Sequence, residues 1–206
     1  MKPLRRKRRA STPLDRDRIG RAALARIEAG GLAALSMRAL AADLGCEAMS
    51  LYHHVDGIEG VLDAVVDDLF DTLLRSPAPG PEARRSLAAF AGAYLALADS
   101  FPHAFPLLAT RLLHTPRALA AVGRVLGLLQ ELGLTQRAAL RQARVLAAYL
   151  NGAGLALAAW RLAPGDGPKS TQSASRDPRL VDLAGAVNLA AVRADLEAGI
   201  AQLLPG

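Results

Sequence analysis

Cysteine occurs once, at position 46, in a chain of 206 residues. That excludes a disulfide framework and a Cys-based metal cluster, and a lone thiol fits a reducing compartment such as the cytoplasm. Aromatic residues make up only 4% of the chain, β-branched residues are sparse, and no window alternates with a period of two, so strands are not expected. No Gly-rich phosphate loop, HExxH, Gly-x-Ser-x-Gly or Cys/His cluster is present, which leaves an enzymatic reading without a motif to rest on. The longest apolar run, Val145 to Trp160, spans 16 residues and contains Asn151. This is short of the roughly 20 residues that a membrane span needs, and it reads as a buried helix. The basic N-terminus is followed by polar, charged sequence from Ser11 to Arg18 rather than the apolar segment of a signal peptide. Lysine and arginine are missing altogether from Ala39 through Leu74, a stretch that carries Asp43, Glu47, Asp56, Glu59, Asp63, Asp67, Asp68 and Asp71.

What is present is apolar material and a localised charge. Hydrophobic residues make up 51% of the chain and charged residues 21%, enough for a sizeable core and too apolar for disorder throughout. The net charge of +6 is unevenly spread: from Met1 to Arg21 nine Lys and Arg stand against Asp15 and Asp17, whereas the remainder holds 16 basic and 17 acidic residues. A short basic arm on a near-neutral body points to a polyanionic partner, with nucleic acid first.

Proline and glycine punctuate the chain at Ser11-Thr12-Pro13, at 76–81, at Phe101-Pro102, at Thr115-Pro116 and at 163–168. Between these breaks the Ala- and Leu-rich sequence predicts an all-α fold. Helices are expected over 16–29, 37–44, 48–54, 56–74, 81–99, 102–113, 116–132, 135–162 and 179–203. Ser36 reads as the N-cap of the second, Gly45 as its stop, and Asp56 with Glu59 has capping-box spacing at the start of the fourth. The predicted division is a flexible basic arm over 1–13, a three-helix unit closed by a fourth helix over 14–75, and a larger helical unit over 76–206.

Helices 37–44 and 48–54, joined by a tight turn at Gly45, have helix-turn-helix spacing, with Ala41, Leu44, Leu51 and Val55 expected inside. Spacing alone fits an ordinary αα-corner equally well, and the basic arm tilts the reading toward DNA.

Ala23-Leu24 through Gly30-Gly31-Leu32, Leu35-Ser36-Met37-Arg38-Ala39-Leu40-Ala41, Leu44-Gly45, Leu51-Tyr52-His53-His54-Val55 and Leu62-Asp63-Ala64-Val65 together resemble the TetR family of transcriptional repressors over about residues 15–70. Beyond residue 80 the likeness is one of architecture, to the tetracycline-repressor type of C-terminal domain. The resemblance implies that Ser36, Met37 and Arg38 supply phosphate contacts and one base contact, for which Arg38 suits guanine. It implies that Ala48, Met49 and Ser50 begin the recognition helix and touch thymine methyls, that Tyr52 and His54 contact phosphate, and that His53 fills a variable position. The lesser readings are a partly buried core aromatic for Tyr52 and an exposed, solvated side chain for Arg38. A lysine common in the family at the start of the fourth helix is absent, where Gly57-Ile58-Glu59 stands instead. Phosphate attraction is therefore assigned to the arm (Arg5, Arg6, Lys7, Arg8, Arg9), Arg26, Arg38 and helix N-termini.

In the larger unit, apolar stripes such as Leu87, Phe90, Tyr94 and Leu97, or Leu107, Leu108 and Leu112, fit either a filled core or a cavity. Polar candidates to line a cavity are Tyr94, Asp99, His103, Thr110, Arg111, His114, Gln130 and Asn151. His103 and His114 bring to mind the histidine that tetracycline-type repressors use with magnesium-bound drug, but the motif does not line up, and no metal or cofactor is expected. The helix over 135–162 is apolar nearly all round, and with that over 179–203 it is expected to form a dimer interface, as the family does. Gly152 and Gly154 are expected to permit close backbone approach. The sequence thus predicts a non-enzymatic, cytoplasmic, ligand-responsive regulator, a repressor binding a palindromic operator as a homodimer and releasing it on binding a small, largely apolar effector. The alternatives are a constitutive DNA-binding protein without effector, and a helical enzyme.

Overall fold

The computed structural model describes residues 13–76, 82–163 and 189–204, and among them every regular element is helical. Helix α1 (Arg16–Gly30) opens on Asp15, whose carboxylate accepts the Arg18 backbone N–H at 2.7 Å, and turns Ile19, Ala23 and Ile27 inward. A 3₁₀ turn (Leu32–Ala34) leads to α2 (Met37–Leu44) and α3 (Ala48–Leu51). The long α4 (Gly57–Arg75) follows, then α5 (Ala83–Ser100), α6 (Phe105–Thr110), α7 (Pro116–Glu131), α8 (Gln136–Leu162) and α9 (Leu189–Leu203). Thr115 and Thr135 cap α7 and α8 by accepting the Ala118 and Ala138 N–H groups, each satisfying an orphan donor that a helix start exposes.

Helix α4 is the hub. It packs along α1 and also touches α5, α6 and α7. Gly20 lets α1 lie so close that a Cβ there would stand 2.5 Å from the Ala64 carbonyl oxygen. Val61, Val65, Leu69 and Leu73 of α4 are buried, each worth about 1.5–3 kcal/mol over exposure. Their burial makes one apolar core continuous from Ile19 to Leu204.

Three local expectations are corrected. Asp56 makes no side-chain cap at α4, where its backbone stands at φ −81°, ψ 76° and Gly57 follows at φ +62°, and the Glu59 carboxylate pairs with Arg111. The helix expected over 102–113 is confined to α6, since the chain turns extended at Arg111; Leu112 is consequently 86% exposed rather than internal. Helix α3 stops at Leu51, with His54 and Val55 N–H groups both returning to the Leu51 carbonyl. Of the last expected helix, 179–188 lies outside the described residues.

Helix α8 has 27 residues and an 18-residue window of mean hydropathy 1.3, long and apolar enough by length and composition to cross a membrane. Here it is the centre of the larger unit, packed by α5, α6, α7 and α9.

Candidate nucleic-acid interface and ligand cavity

The α2–α3 corner is built by local chemistry. Ser36 Oγ accepts the Ala39 N–H at 3.2 Å, which fixes where α2 begins. Gly45 ends it at φ 68°, ψ 34°, a left-handed conformation that glycine adopts without Cβ strain, with its N–H returned to the Ala41 and Ala42 carbonyls. Leu40, Leu51 and Val55 are buried beneath the corner. Leu40 thus joins Ala41 as the inward anchor of α2, while Leu44 is half-buried.

The predicted DNA contacts among the described residues are all at least partly accessible to solvent. Ser36, Arg38, Met49, Tyr52, His53 and His54 are exposed, and Met37, Ala48 and Ser50 are half-buried. Met49 and Tyr52 are 69% and 49% exposed. Met37 packs partly against the core. Arg38 makes no ion pair with the described residues and is free to meet an anion. The arm residues Arg5, Arg6, Lys7, Arg8 and Arg9 lie outside the described residues.

Arg26 is differently employed from what the charge pattern led one to expect. Its Nε and Nη2 donate to Asp43 at 2.5 and 2.6 Å. This bidentate brace between α1 and α2 holds the Asp43 carboxyl below the usual carboxylate range and neutralises the arginine locally. No sequence spacing announces a pair 17 residues apart.

Behind the corner, α4 to α8 enclose a cavity of about 280 Å³ with a mostly apolar wall that includes Phe90, Leu108, Val125, Leu126 and Leu146. Helix α4 contributes Phe70, so the helix that supports the reading corner also forms part of the cavity. The polar wall groups are Tyr94, Arg111, Arg144 and Asn151. Tyr94 donates its hydroxyl to Asn151 Oδ1 at 2.6 Å, and Asn151 Nδ2 donates to the Ala109 carbonyl at 3.1 Å. Burial raises the Tyr94 phenol well above its ordinary range, so it is a neutral donor. The ring meets Phe105 edge-on with centroids 5.5 Å apart, and Phe105 lies against Gly154, where a Cβ would come within 2.1 Å of Cζ. Close approach thus explains Gly154 but not Gly152, around which a Cβ would find nothing within 4 Å.

The other predicted ligand contacts lie off this wall. His103 sits beside α1, its N–H 3.4 Å from the Glu28 carboxylate, which also accepts the Ala104 N–H at 2.8 Å. Thr110 bonds the Pro106 carbonyl, His114 Nε2 lies 3.1 Å from Asp63, and Gln130 is exposed near the end of α7. Asp99 pairs with Arg161. Among the described residues no group of three His, Cys, Asp or Glu is arranged to hold a metal. Phe70, Arg144 and Glu28 were not singled out by sequence, because their partners lie on helices far away along the chain.

Arg111 joins the cavity to α4. Its Nη1 donates to Glu59 at 2.9 Å and its Nη2 to Asp63 at 2.8 Å, whereas its buried Nε has no acceptor.

No protein-family model matches the chain. Among curated proteins it is 32% identical over 148 residues to an HTH-type transcriptional regulator of Saccharopolyspora erythraea, a match covering 72% of this chain and 63% of that protein. It is 34% identical over 125 residues to the HTH-type transcriptional repressor DrrR1 of Streptomyces coeruleorubidus, covering 58% and 44% respectively. The chain therefore spans less than two thirds of the length of these relatives. Among solved structures it resembles the TetR family protein ActR of Streptomyces coelicolor in complex with (S)-DNPA, with a TM-score of 0.74, 25% identity and coverage of 93% and 96%. A TetR-type transcriptional regulator from the same organism gives a TM-score of 0.76 at 25% identity, covering 93% and 96%. The exposed helix-turn-helix corner, the all-helical frame and these likenesses agree: in sequence and fold the chain is similar to HTH-type and TetR-family transcriptional regulators.

Proposed function

We propose that this regulator is a cytoplasmic repressor that binds a two-fold symmetric operator as a homodimer and releases it when a small, largely apolar effector enters the cavity. The observation that carries the reading is that α4 serves both units, packing along α1 with Val61 and Val65 buried and placing Phe70 on the cavity wall. Two similar proteins, a repressor and a regulator crystallised with a small molecule, favour the same reading.

In this reading residues 14–75 form the DNA-binding unit and 76–206 the effector and dimerisation unit, with 1–13 as the basic arm. Arg38 reads a base edge, Ser36, Tyr52 and His54 contact phosphate, and Met37, Ala48, Met49, Ser50 and His53 complete the contact surface. The arm, Arg5 to Arg9, supplies much of the attraction to phosphate, because the flank from Ala39 to Leu74 carries no basic residue. Tyr94, Arg111 and Asn151 orient the effector, with His103, Thr110, His114 and Gln130 as outer contacts reached on rearrangement.

Dimerisation is supported by the outer face of α8. Val145, Ala148, Gly152, Ala156 and Ala159 recur at helical spacing and are all exposed, so a flat apolar stripe stands uncovered beside α9. A two-fold pairing of α8 and α9 would cover it and present two reading corners to two half-sites. The effector can shift the equilibrium only by its differential affinity for the two arrangements of α4.

Sequencing the DNA that the purified protein selects from a random pool tests the reading. A palindromic site with half-sites about one helical turn apart is expected; an asymmetric site, or none, overturns it.

A further inference from the structure

The cavity wall has a chemical bias that its apolar character hides. Among the described residues that line it, the charged ones are Arg111 and Arg144, and none is acidic. The neutral polar pair is partly engaged within itself, Tyr94 donating to Asn151 and Asn151 to Ala109, which leaves one Asn151 N–H and oxygen lone pairs for a ligand. The charge on the wall is thus of one sign, cationic. Arg111 has a buried Nε without acceptor, and Arg144 is exposed with no ion pair to the described residues.

Arg111 is also shared. Its two terminal nitrogens hold Glu59 and Asp63 near the start of α4. Glu59 is 70% exposed and Asp63 18%, so the first contact is weak and easily exchanged, while the second is partly desolvated. An acidic group entering the cavity would be offered the same guanidinium in a less polar setting, where a charge-assisted hydrogen bond is stronger than in water.

We infer that the effector of this cavity is an amphipathic organic anion, and that its acidic group competes with Glu59 and Asp63 for Arg111. The inference rests on the effector reading above and adds the ligand's chemical class and the contact through which it reaches α4. Loss of the Arg111 pairs loosens the first turns of α4, the part of that helix nearest the α2–α3 corner in sequence. A neutral ligand of the same shape would fill the cavity without touching this latch.

Two fluorescent probes of one skeleton separate these cases: anilinonaphthalene sulfonate, and phenylnaphthylamine, which lacks the acidic group. Titrated into the full chain, the sulfonate is expected to bind roughly tenfold more tightly than the amine. Glu59→Gln, which removes an exposed competitor, should tighten sulfonate binding by roughly two- to fivefold and leave the amine unchanged. Arg144→Gln should weaken the sulfonate alone. Leu126→Trp, which fills the cavity, should weaken both. Arg111→Gln is a poorer test, since it also removes the cationic partner of the partly desolvated Asp63, leaving it only His114, and endangers folding. Amide exchange over 57–63 should rise with the sulfonate only. Equal affinities for the two probes, or a Glu59→Gln effect common to both, overturns the anion latch and leaves the cavity reading intact. Sulfonate binding indifferent to Leu126→Trp places it elsewhere and overturns the latch as well. Failure of the chain to bind either probe removes the effector reading and the inference with it.

Discussion

Arg117 of α7 holds Asp17 of α1 through two parallel hydrogen bonds, Nη1 to Oδ1 and Nη2 to Oδ2, each 2.8 Å long. The pair is 100 residues apart in sequence, and Arg117 Nε lies a further 3.7 Å from Asp71 of α4. One guanidinium thus ties the first helix of the reading head, the connecting helix and the larger unit together, an arrangement suited to transmitting a shift of α7.

The hydrogen bond from Arg117 holds the Asp17 carboxyl below its ordinary range. A carboxylate whose folded-state pKa is depressed adds stability above its unfolded pKa and loses it as pH falls through the folded value. The contribution should be whole at neutral pH and vanish only in acid, below about pH 4. Because both side chains are a third or more exposed, Asp17→Asn should cost only about 0.5–1 kcal/mol. Thermal unfolding at pH 7 and at pH 3 checks this; an equal deficit at both would mean that charge is not the cause.

Asp68 behaves in the opposite way. Desolvation raises its carboxyl above the ordinary value, ahead of the opposing pull of Arg21. A raised carboxylate pKa means that ionisation opposes folding at neutral pH and that the penalty is relieved as pH falls through the folded value. Asp68→Asn should therefore raise Tm at pH 7 by roughly 2 °C, with the gain shrinking toward acid. A variant no more stable at pH 7 than the parent would contradict the burial argument.

Gly154→Ala should destabilise by about 1–3 kcal/mol, since its Cβ would overlap the Phe105 ring at 2.1 Å and the ring is held by Tyr94. Gly152→Ala, two residues away, meets nothing within 4 Å. It should gain up to about 1 kcal/mol of helix propensity in the monomer. Denaturant titration distinguishes the two signs, and a loss at Gly152 that grows with protein concentration would locate a partner subunit there.

Arg38→Ala should weaken operator binding by about 1–3 kcal/mol and relax preference at one base pair. Removing residues 1–10 should instead lower affinity for all sequences and flatten the salt dependence. Electrophoretic titrations at several salt concentrations separate base reading from phosphate attraction. An unchanged salt slope on truncation would remove the arm from the interface.

Much of the reading corner was legible because it is made by short-range rules. Ser36 caps three residues ahead, Gly45 supplies a left-handed stop, and the inward Ala41, Leu51 and Val55 follow the helical period, whereas Leu44, also expected inside, is half-buried and Leu40 takes its place. The Asp56 cap did not form because Gly57 enters α4 with a left-handed φ of +62°, which spacing does not announce, and the Glu59 side chain pairs with the distant Arg111. Leu112 was misread for the same reason: the chain leaves α6 at Arg111, so the residue next to it faces solvent instead of the core.

The amino-acid sequence by itself determined the helical class, the breaks between helices, the reading corner and the segregation of basic charge into the arm. Each depends on propensity, period or composition within a few residues. Only the tertiary structure decided that Arg26 braces Asp43 instead of remaining free for phosphate, and that Tyr94 and Asn151 satisfy one another. The same holds for Phe70 lining the cavity and Arg111 standing between that cavity and α4. Those relationships join helices tens of residues apart, and long-range packing and charge pairing select them from many partners that the sequence offers equally.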